Sequence, residues 1–251
     1  MDLDHIEKIA RSAALKAQGI QQHYFKTGVV AEKKGTVDLV TQADLESEKA
    51  ILSILKEHFP NHQFIAEETH NKPIDLSNQM TWIIDPLDGT SNFAHQFPYF
   101  GISIALHDRE NIIFALIVHT ILDDWYVAKK GQGTYKNNQK IHVSSQNNLD
   151  QAFLSTGFPY DKRKSKDNNL KQFSHFELNA LCVRRAGAAA IDLAYIACGS
   201  FDAFWEKKLK PWDIAAGILL IEEAGGTVTN FLGKPIKDLS LIHISEPTRP
   251  Y

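Results

Sequence analysis

Apolar residues recur at helical spacing along the first turns of the chain. Ile6, Ile9, Ala10, Ala13, Ala14, Ala17 and Ile20 share one side of a 3.6-residue repeat, which predicts an amphipathic helix over 3–25. A polar, glycine-bearing connector is expected over 28–36. A second helix is expected over 43–59, with Leu45, Ile51, Leu52, Leu55 and Phe59 on its buried side. It should stop before Pro60, because the residue ahead of a proline resists the helical conformation. Strand material follows. Strands are expected at 63–66, 82–84, 101–107, 112–122, 125–128 and 133–135. Asp108-Arg109-Glu110-Asn111 closes one hairpin and Asn137-Asn138 supplies turn chemistry. From 153 onward short strands (153–155, 184–186, 203–206) alternate with helices (168–181, 188–197, 214–224), the last ended by Gly225-Gly226. That alternation argues for a layered α/β arrangement. The Ser/Gln/Asn-rich stretch at 143–150 separates an N-terminal α+β half, 1–146, from a C-terminal α/β half, 147–238.

Composition narrows the partners. With 251 residues the chain can bury a substantial core. Lys+Arg 27 against Asp+Glu 30 leaves a net charge of -3, so nothing marks the whole protein as a binder of nucleic acid or acidic membranes. The basic cluster of Lys162, Arg163, Lys164 and Lys166 reads as a solvated loop. Cys182 and Cys198 lack zinc-type spacing and read as reduced, packed thiols. Asp2, Asp4 and Glu7 follow Met1 in place of a basic leader, and no uncharged apolar run reaches membrane length. A cytoplasmic protein is expected. Residues 239–251 resemble one reading frame of a common transposon-type sequencing adapter and are read as a non-native tail.

The chemistry gathers at Trp82-Ile83-Ile84-Asp85-Pro86-Leu87-Asp88-Gly89-Thr90-Ser91-Asn92-Phe93. Asp85 and Asp88 stand three residues apart across a proline, at the end of an apolar strand. Pro86 has no N–H and keeps Asp85 extended. Gly89-Thr90 then opens a helix whose unpaired amides suit a phosphate. Carboxylates beside an anion site repel that anion unless a cation lies between them. The ordinary alternative is an Asp-rich turn with Thr90 as a helix cap. Glu67-Glu68 ends another strand, while Asp44 and Asp213 lie in the first turns of helices, where acids also serve as caps or dipole partners. Strand-end and helix-start acids such as these, without a His or Cys cluster, select a hard, oxygen-bound cation.

Asp38-Leu39-Val40-Thr41, Ala66-Glu67-Glu68, the 82–93 run and Trp212-Asp213-Ile214-Ala215-Ala216-Gly217 resemble, in order and spacing, the motifs of the inositol monophosphatase family. The resemblance implies a layered αβαβα sandwich of the α+β type. It implies Mg²⁺ as cofactor, with Glu67, Asp85, Asp88 and Asp213 as its carboxylates and Leu87 as a backbone-carbonyl ligand. Asp44 and Thr90 become the pair that orients the attacking water, with Glu67 among the catalytic acids. Gly89 and Thr90 hold the phosphate, and Glu206, Asp213 and the Arg185-Ala186-Gly187-Ala188-Ala189 segment, Ala189 in particular, face the polyol. The implied reaction is direct hydrolysis of an inositol phosphate by a metal-activated water, in a homodimer. Relatives of this fold that cleave nucleotide 3′-phosphates, fructose 1,6-bisphosphate or histidinol phosphate are the alternatives. Thr90-Ser91-Asn92-Phe93 is more similar to the inositol type than to the nucleotide type. A reading of another class is a scaffold on RNA or a transcription complex, through Arg163, Lys164, Arg184 and Arg185.

Overall fold

The structure, a computed structural model, describes residues 2–28, 31–33, 39–71, 73–236 and Leu239. Asp38 and the expected tail beyond Leu239 lie outside the described residues. Helix α1 spans Leu3–Thr27. It starts at Asp2, whose carboxylate accepts the amides of Asp4 and His5. The expected connector holds a short strand, β1 (Ala31–Lys33), which pairs antiparallel with β2 (Leu39–Thr41). Helix α2 (Gln42–His58) follows and ends at Phe59, ahead of Pro60. Its buried face is Ala43, Asp44, Ser47, Glu48, Ile51 and Leu55; Leu45 is 46% exposed, contrary to the expectation. Apolar content misled there. Near its start this helix turns polar side chains inward, and Leu45 falls off that stripe.

Seven strands then form one sheet in chain order: β3 (Gln63–Ala66), β4 (Thr81–Asp88), β5 (Gly101–His107), β6 (Ile112–His119), β7 (Asp124–Lys129), β8 (Gly133–Lys136) and β9 (Gln139–Ile141). Only the β3–β4 pair is parallel. A short helix, α3 (Thr90–Ala94), interrupts the chain after β4. Side-chain alternation sends Trp82, Ile84, Ile102, Ile104 and Leu116 to the face covered by α1 and α2. Ile83, Ala105, Ala115 and Ile117 point to the other face.

The second half supplies a three-stranded parallel sheet, order β11-β10-β12, from β10 (Phe153–Thr156), β11 (Cys182–Arg184) and β12 (Ala203–Trp205). Helix α4 (Leu170–Asn179) lies on one face, its Phe173 and Phe176 packed with Leu154, Val183 and Trp205. Between the two sheets lie α5 (Ala189–Ala197) and α6 (Pro211–Glu223), which share one core with both. The result is an α+β, five-layered αβαβα sandwich. No helix among the described residues is long and apolar enough to cross a membrane. The ends of β4, α2, α3, α5 and α6 converge at one edge of this stack.

Candidate active site

Strand β4 sets the centre. Its pairing with β5 shifts register between Asp85 and Asp88, where Pro86 withholds a ladder donor. The strand expected at 82–84 is longer in the structure and runs through Asp88, with a bulge. The Pro86 carbonyl accepts Gln21 Nε2 from α1 at 2.7 Å, and the Leu87 amide donates to Asp85 Oδ1 at 3.0 Å. Gly89 then takes φ 92°. A Cβ there would meet the Tyr99 carbonyl at 3.0 Å and Ala188 Cβ at 3.1 Å, so only glycine brings the chain this close before α3.

Asp44 and Thr90 are in direct contact. Asp44 is fully buried in the first turn of α2. Its Oδ2 accepts the Thr41 amide at 2.8 Å and the Thr41 hydroxyl at 2.5 Å, closing a capping box. Its Oδ1 accepts the Thr90 hydroxyl at 2.8 Å. Thr90 Oγ1 also lies 3.2 Å from the Leu87 carbonyl. A hydroxyl has one proton to give. With that proton on Asp44, the Thr90 oxygen can only accept from whatever sits in front of it.

Asp88, on β4, reaches across to the second half. Its Oδ1 accepts the Ala189 amide at 3.2 Å and its Oδ2 the Ala190 amide at 2.7 Å, at the start of α5. Burial nevertheless pushes its carboxyl up to about 6, against those amides. Asp213 occupies the matching place on α6, where its Oδ2 accepts the Lys210 amide at 2.6 Å. Glu67 follows β3, its own amide donating to the Ile84 carbonyl at 3.2 Å. Asp85 lies among them. Burial first, then the charges of Glu67, Asp88 and Asp213, holds its carboxyl well above the usual range. Glu206, just past β12, is raised likewise by burial and by Asp213, Asp192 and Asp88, with Arg185 opposing. Its carboxylate covers Gly157, where a Cβ would overlap it.

The structure therefore brings Glu67, Asp88 and Asp213 within electrostatic reach of Asp85, and Asp88 and Asp213 within reach of Glu206. Asp44, Leu87, Gly89 and Thr90 are linked to them through β4, and Ala189 through its bond to Asp88. Among the described residues, no three His, Cys, Asp or Glu side chains are drawn close enough to enclose an ion by themselves. The acids repel across the site while hydrogen bonds to separate elements hold them in place.

Four contributors escaped the sequence. Gln21 braces Pro86, the Ala190 amide holds Asp88, and Glu48 Oε2 accepts the Glu68 amide at 2.7 Å. Tyr99 clamps two helices: its carbonyl accepts Asn92 Nδ2 at 2.7 Å and its hydroxyl donates to buried Asp192 on α5 at 2.7 Å. One signal was available. Gln18 and Gln21 continue the small-residue stripe of α1, and both are buried polar side chains.

The model of the inositol monophosphatase family matches residues 2–247. This chain belongs to the inositol monophosphatase family. An inositol-1-monophosphatase of Synechocystis sp. is 39% identical over 240 residues, covering 95% of this chain and 83% of that protein. A Nus factor SuhB of Pseudomonas aeruginosa is 38% identical over 210 residues, covering 82% of this chain and 77% of that one. The solved inositol monophosphatase of Anabaena (Nostoc) sp. PCC 7120 superposes with a TM-score of 0.84 at 39% identity, covering 94% of this chain and 88% of that one. The five-layered stack is thus the inositol monophosphatase fold, and the chain is a member of a phosphatase family.

Proposed function

We propose that this chain is a Mg²⁺-dependent phosphomonoester hydrolase that converts an inositol monophosphate and water to inositol and phosphate. Asp85 carries the reading: a buried carboxylate ringed by the charges of Glu67, Asp88 and Asp213 is relieved by a bound cation. The donors Glu67, Asp85, Asp88, Asp213 and the Leu87 carbonyl are all oxygen, which suits Mg²⁺ and fits no soft metal. Mg²⁺ held there supplies charge to neutralise the phosphate oxygens, lower the pKa of a water and stabilise the leaving alkoxide. The chain's own groups do the rest. Thr90, its proton committed to Asp44, accepts from the attacking water and aims it. The Gly89 and Thr90 amides hold the phosphate, and Glu67 helps position the water. Glu206, Asp213 and the Ala189 turn face the polyol. No Ser or Cys nucleophile is required, so water attacks phosphorus directly.

Phosphate release from inositol 1-phosphate, adenosine 3′,5′-bisphosphate, fructose 1,6-bisphosphate and histidinol phosphate, with and without Mg²⁺, tests the assignment. Absence of metal-dependent release from all four would refute it, and preference for another ester would move the substrate. We place the enzyme in the cytoplasm as a homodimer. The free thiols Cys182 and Cys198 support the first, and the exposed Leu178 and Leu181 beside edge strand β11 support the second. Light scattering on the purified chain reads the dimer. Similarity to a Nus factor SuhB favours a second reading, a scaffold in a transcription complex. A cellular phenotype that survives loss of turnover would support it.

A further inference from the structure

Strands β10 and β12 pair in parallel up to Thr156 and Trp205, and one buried side chain ties their ends together. Asn169, just ahead of α4, holds φ 70°, a left-handed backbone that asparagine tolerates better than most residues. The indole N–H of Trp205 can only donate, and it reaches Asn169 Oδ1 at 2.6 Å. That bond fixes which way the amide faces. Asn169 Nδ2 then donates to the Gly157 carbonyl at 2.6 Å and to Thr156 Oγ1 at 2.8 Å. The Thr156 hydroxyl passes its own proton to the Trp205 carbonyl at 2.5 Å. Asn169, Thr156 and Trp205 are all buried, so no water competes for these bonds.

Glu206 follows directly in the chain. Its amide nitrogen shares a peptide with the Trp205 carbonyl, and its carboxylate lies against Gly157, where even a Cβ would overlap it. Asn169 therefore fixes both the peptide that carries Glu206 and the peptide that its carboxylate leans on. The chain beyond is fastened to the same 157–169 loop, Lys207 to Asp167 and Lys208 to Asp161 at 2.6 Å. Both acids are exposed, so those pairs hold weakly, and the buried amide is the stronger tie. Glu206 needs one, because Asp213, Asp192 and Asp88 all repel it. We propose that Asn169, through Thr156 and Gly157, is a positioning residue that sets the Glu206 carboxylate to accept from a substrate hydroxyl. Discrimination in favour of polyol phosphates then depends on a residue that touches no substrate. This rests on the reading that Glu206 faces the polyol of a phosphate ester.

The test uses the full chain and two probes, inositol 1-phosphate and phenyl phosphate, which has no hydroxyls to read. Asn169→Gly keeps the left-handed backbone and removes the amide. With Mg²⁺, the ratio of kcat/KM for the inositol ester over phenyl phosphate should fall about tenfold, mainly through KM of the inositol ester. That fall should vanish in a Glu206→Gln background, where the carboxylate to be placed is already gone. Thr156→Val cuts the link from the strand side and should lower the ratio too, whereas Thr156→Ser should hold it; this pair decides the matter where Asn169→Gly does not fold. An unchanged ratio in the variants that cut the link, or an equal fall with and without the Glu206 carboxylate, overturns the role. With Ca²⁺, which takes the same oxygen donors, calorimetry of inositol 1-phosphate should show a similar loss of affinity in Asn169→Gly. Absence of turnover on both esters defeats the phosphatase reading itself, while that titration still decides the positioning: equal affinity in wild type and variant overturns it.

Discussion

Two buried carboxylates lie at the ends of neighbouring elements and live opposite lives. Asp44 has every bond it needs: the Thr41 amide, the Thr41 hydroxyl and the Thr90 hydroxyl converge on its two oxygens. Asp85 has one amide, from Leu87, and three acidic neighbours. The fold completes the first by itself. It leaves the second without such compensation, a burden that a proton or a bound cation relieves. Burial alone thus does not tell a structural acid from a working one; the bonds and charges around it do.

The largest effect should come from Asp85→Asn. Loss of one anionic donor should cut Mg²⁺-dependent turnover by about 10³-fold or more, equivalent to about 4 kcal/mol of barrier. Its melting temperature in EDTA should equal or exceed that of the wild type, since Asn carries no charge to desolvate. Mg²⁺ should raise the wild-type melting temperature and leave the variant where it was. Wild-type turnover, or a clear loss of stability in EDTA, breaks the contrast.

Asp44→Ala should do the reverse in stability. Losing a helix cap and stranding the Thr41 amide should cost about 1–3 kcal/mol in denaturant unfolding, whether or not metal is present. Turnover should fall too, because the Thr90 hydroxyl loses the acceptor that fixes its proton. Unchanged unfolding would show that the capping box carries no stability.

Asp192 is the intermediate case, with Tyr99 as hydrogen-bond donor and burial pushing its carboxyl up to about 8 from the ordinary 3.8. Its folded pKa is raised, so the native state holds a proton that the unfolded chain releases. The stability it contributes is whole below about pH 4 and is lost as pH rises towards about 8. Asp192→Asn should therefore flatten part of the decline in unfolding free energy between those limits, measured by denaturant melts in EDTA. A pH slope identical to wild type would contradict the shift.

The smallest effect should be Leu45→Gln, next to Asp44 in sequence but exposed. It should change stability by less than about 0.5 kcal/mol. A larger loss would mean that damage in Asp44→Ala comes from the helix rather than from its cap.

Much of this fold is legible in the sequence. The periodicity placed α1, β5, the β5–β6 hairpin and α5 to within a residue or two at most boundaries, because each buries a simple stripe. The 82–93 run, Asp44, Glu67 and Asp213 sit at element ends, where acids also serve as caps, so it is the resemblance to the inositol monophosphatase motifs rather than position that singles them out. Leu45 was misjudged because the inward face of α2 turns polar as it nears the site, with Asp44, Ser47 and Glu48 replacing apolar residues. Strand β1 falls within the expected connector because three residues carry too little pattern to mark a strand. Gln21, Ala190 and the Tyr99–Asp192 bridge were invisible for another reason. Each acts through a partner far away in the chain, 65 residues for Gln21 and 93 for Tyr99, and local spacing says nothing of such meetings.

The bonds from Asp88 to Ala189 and Ala190 span 101 and 102 residues. In kinetic terms they should form late. Contacts so distant in sequence bear a large loop-closure entropy and form only after the local structure that positions their ends. During refolding the chain should regain most of its helix and sheet signal before α5 docks and receives that carboxylate. Return of turnover then reports docking of the two halves, and should lag the far-ultraviolet signal in a refolding time course.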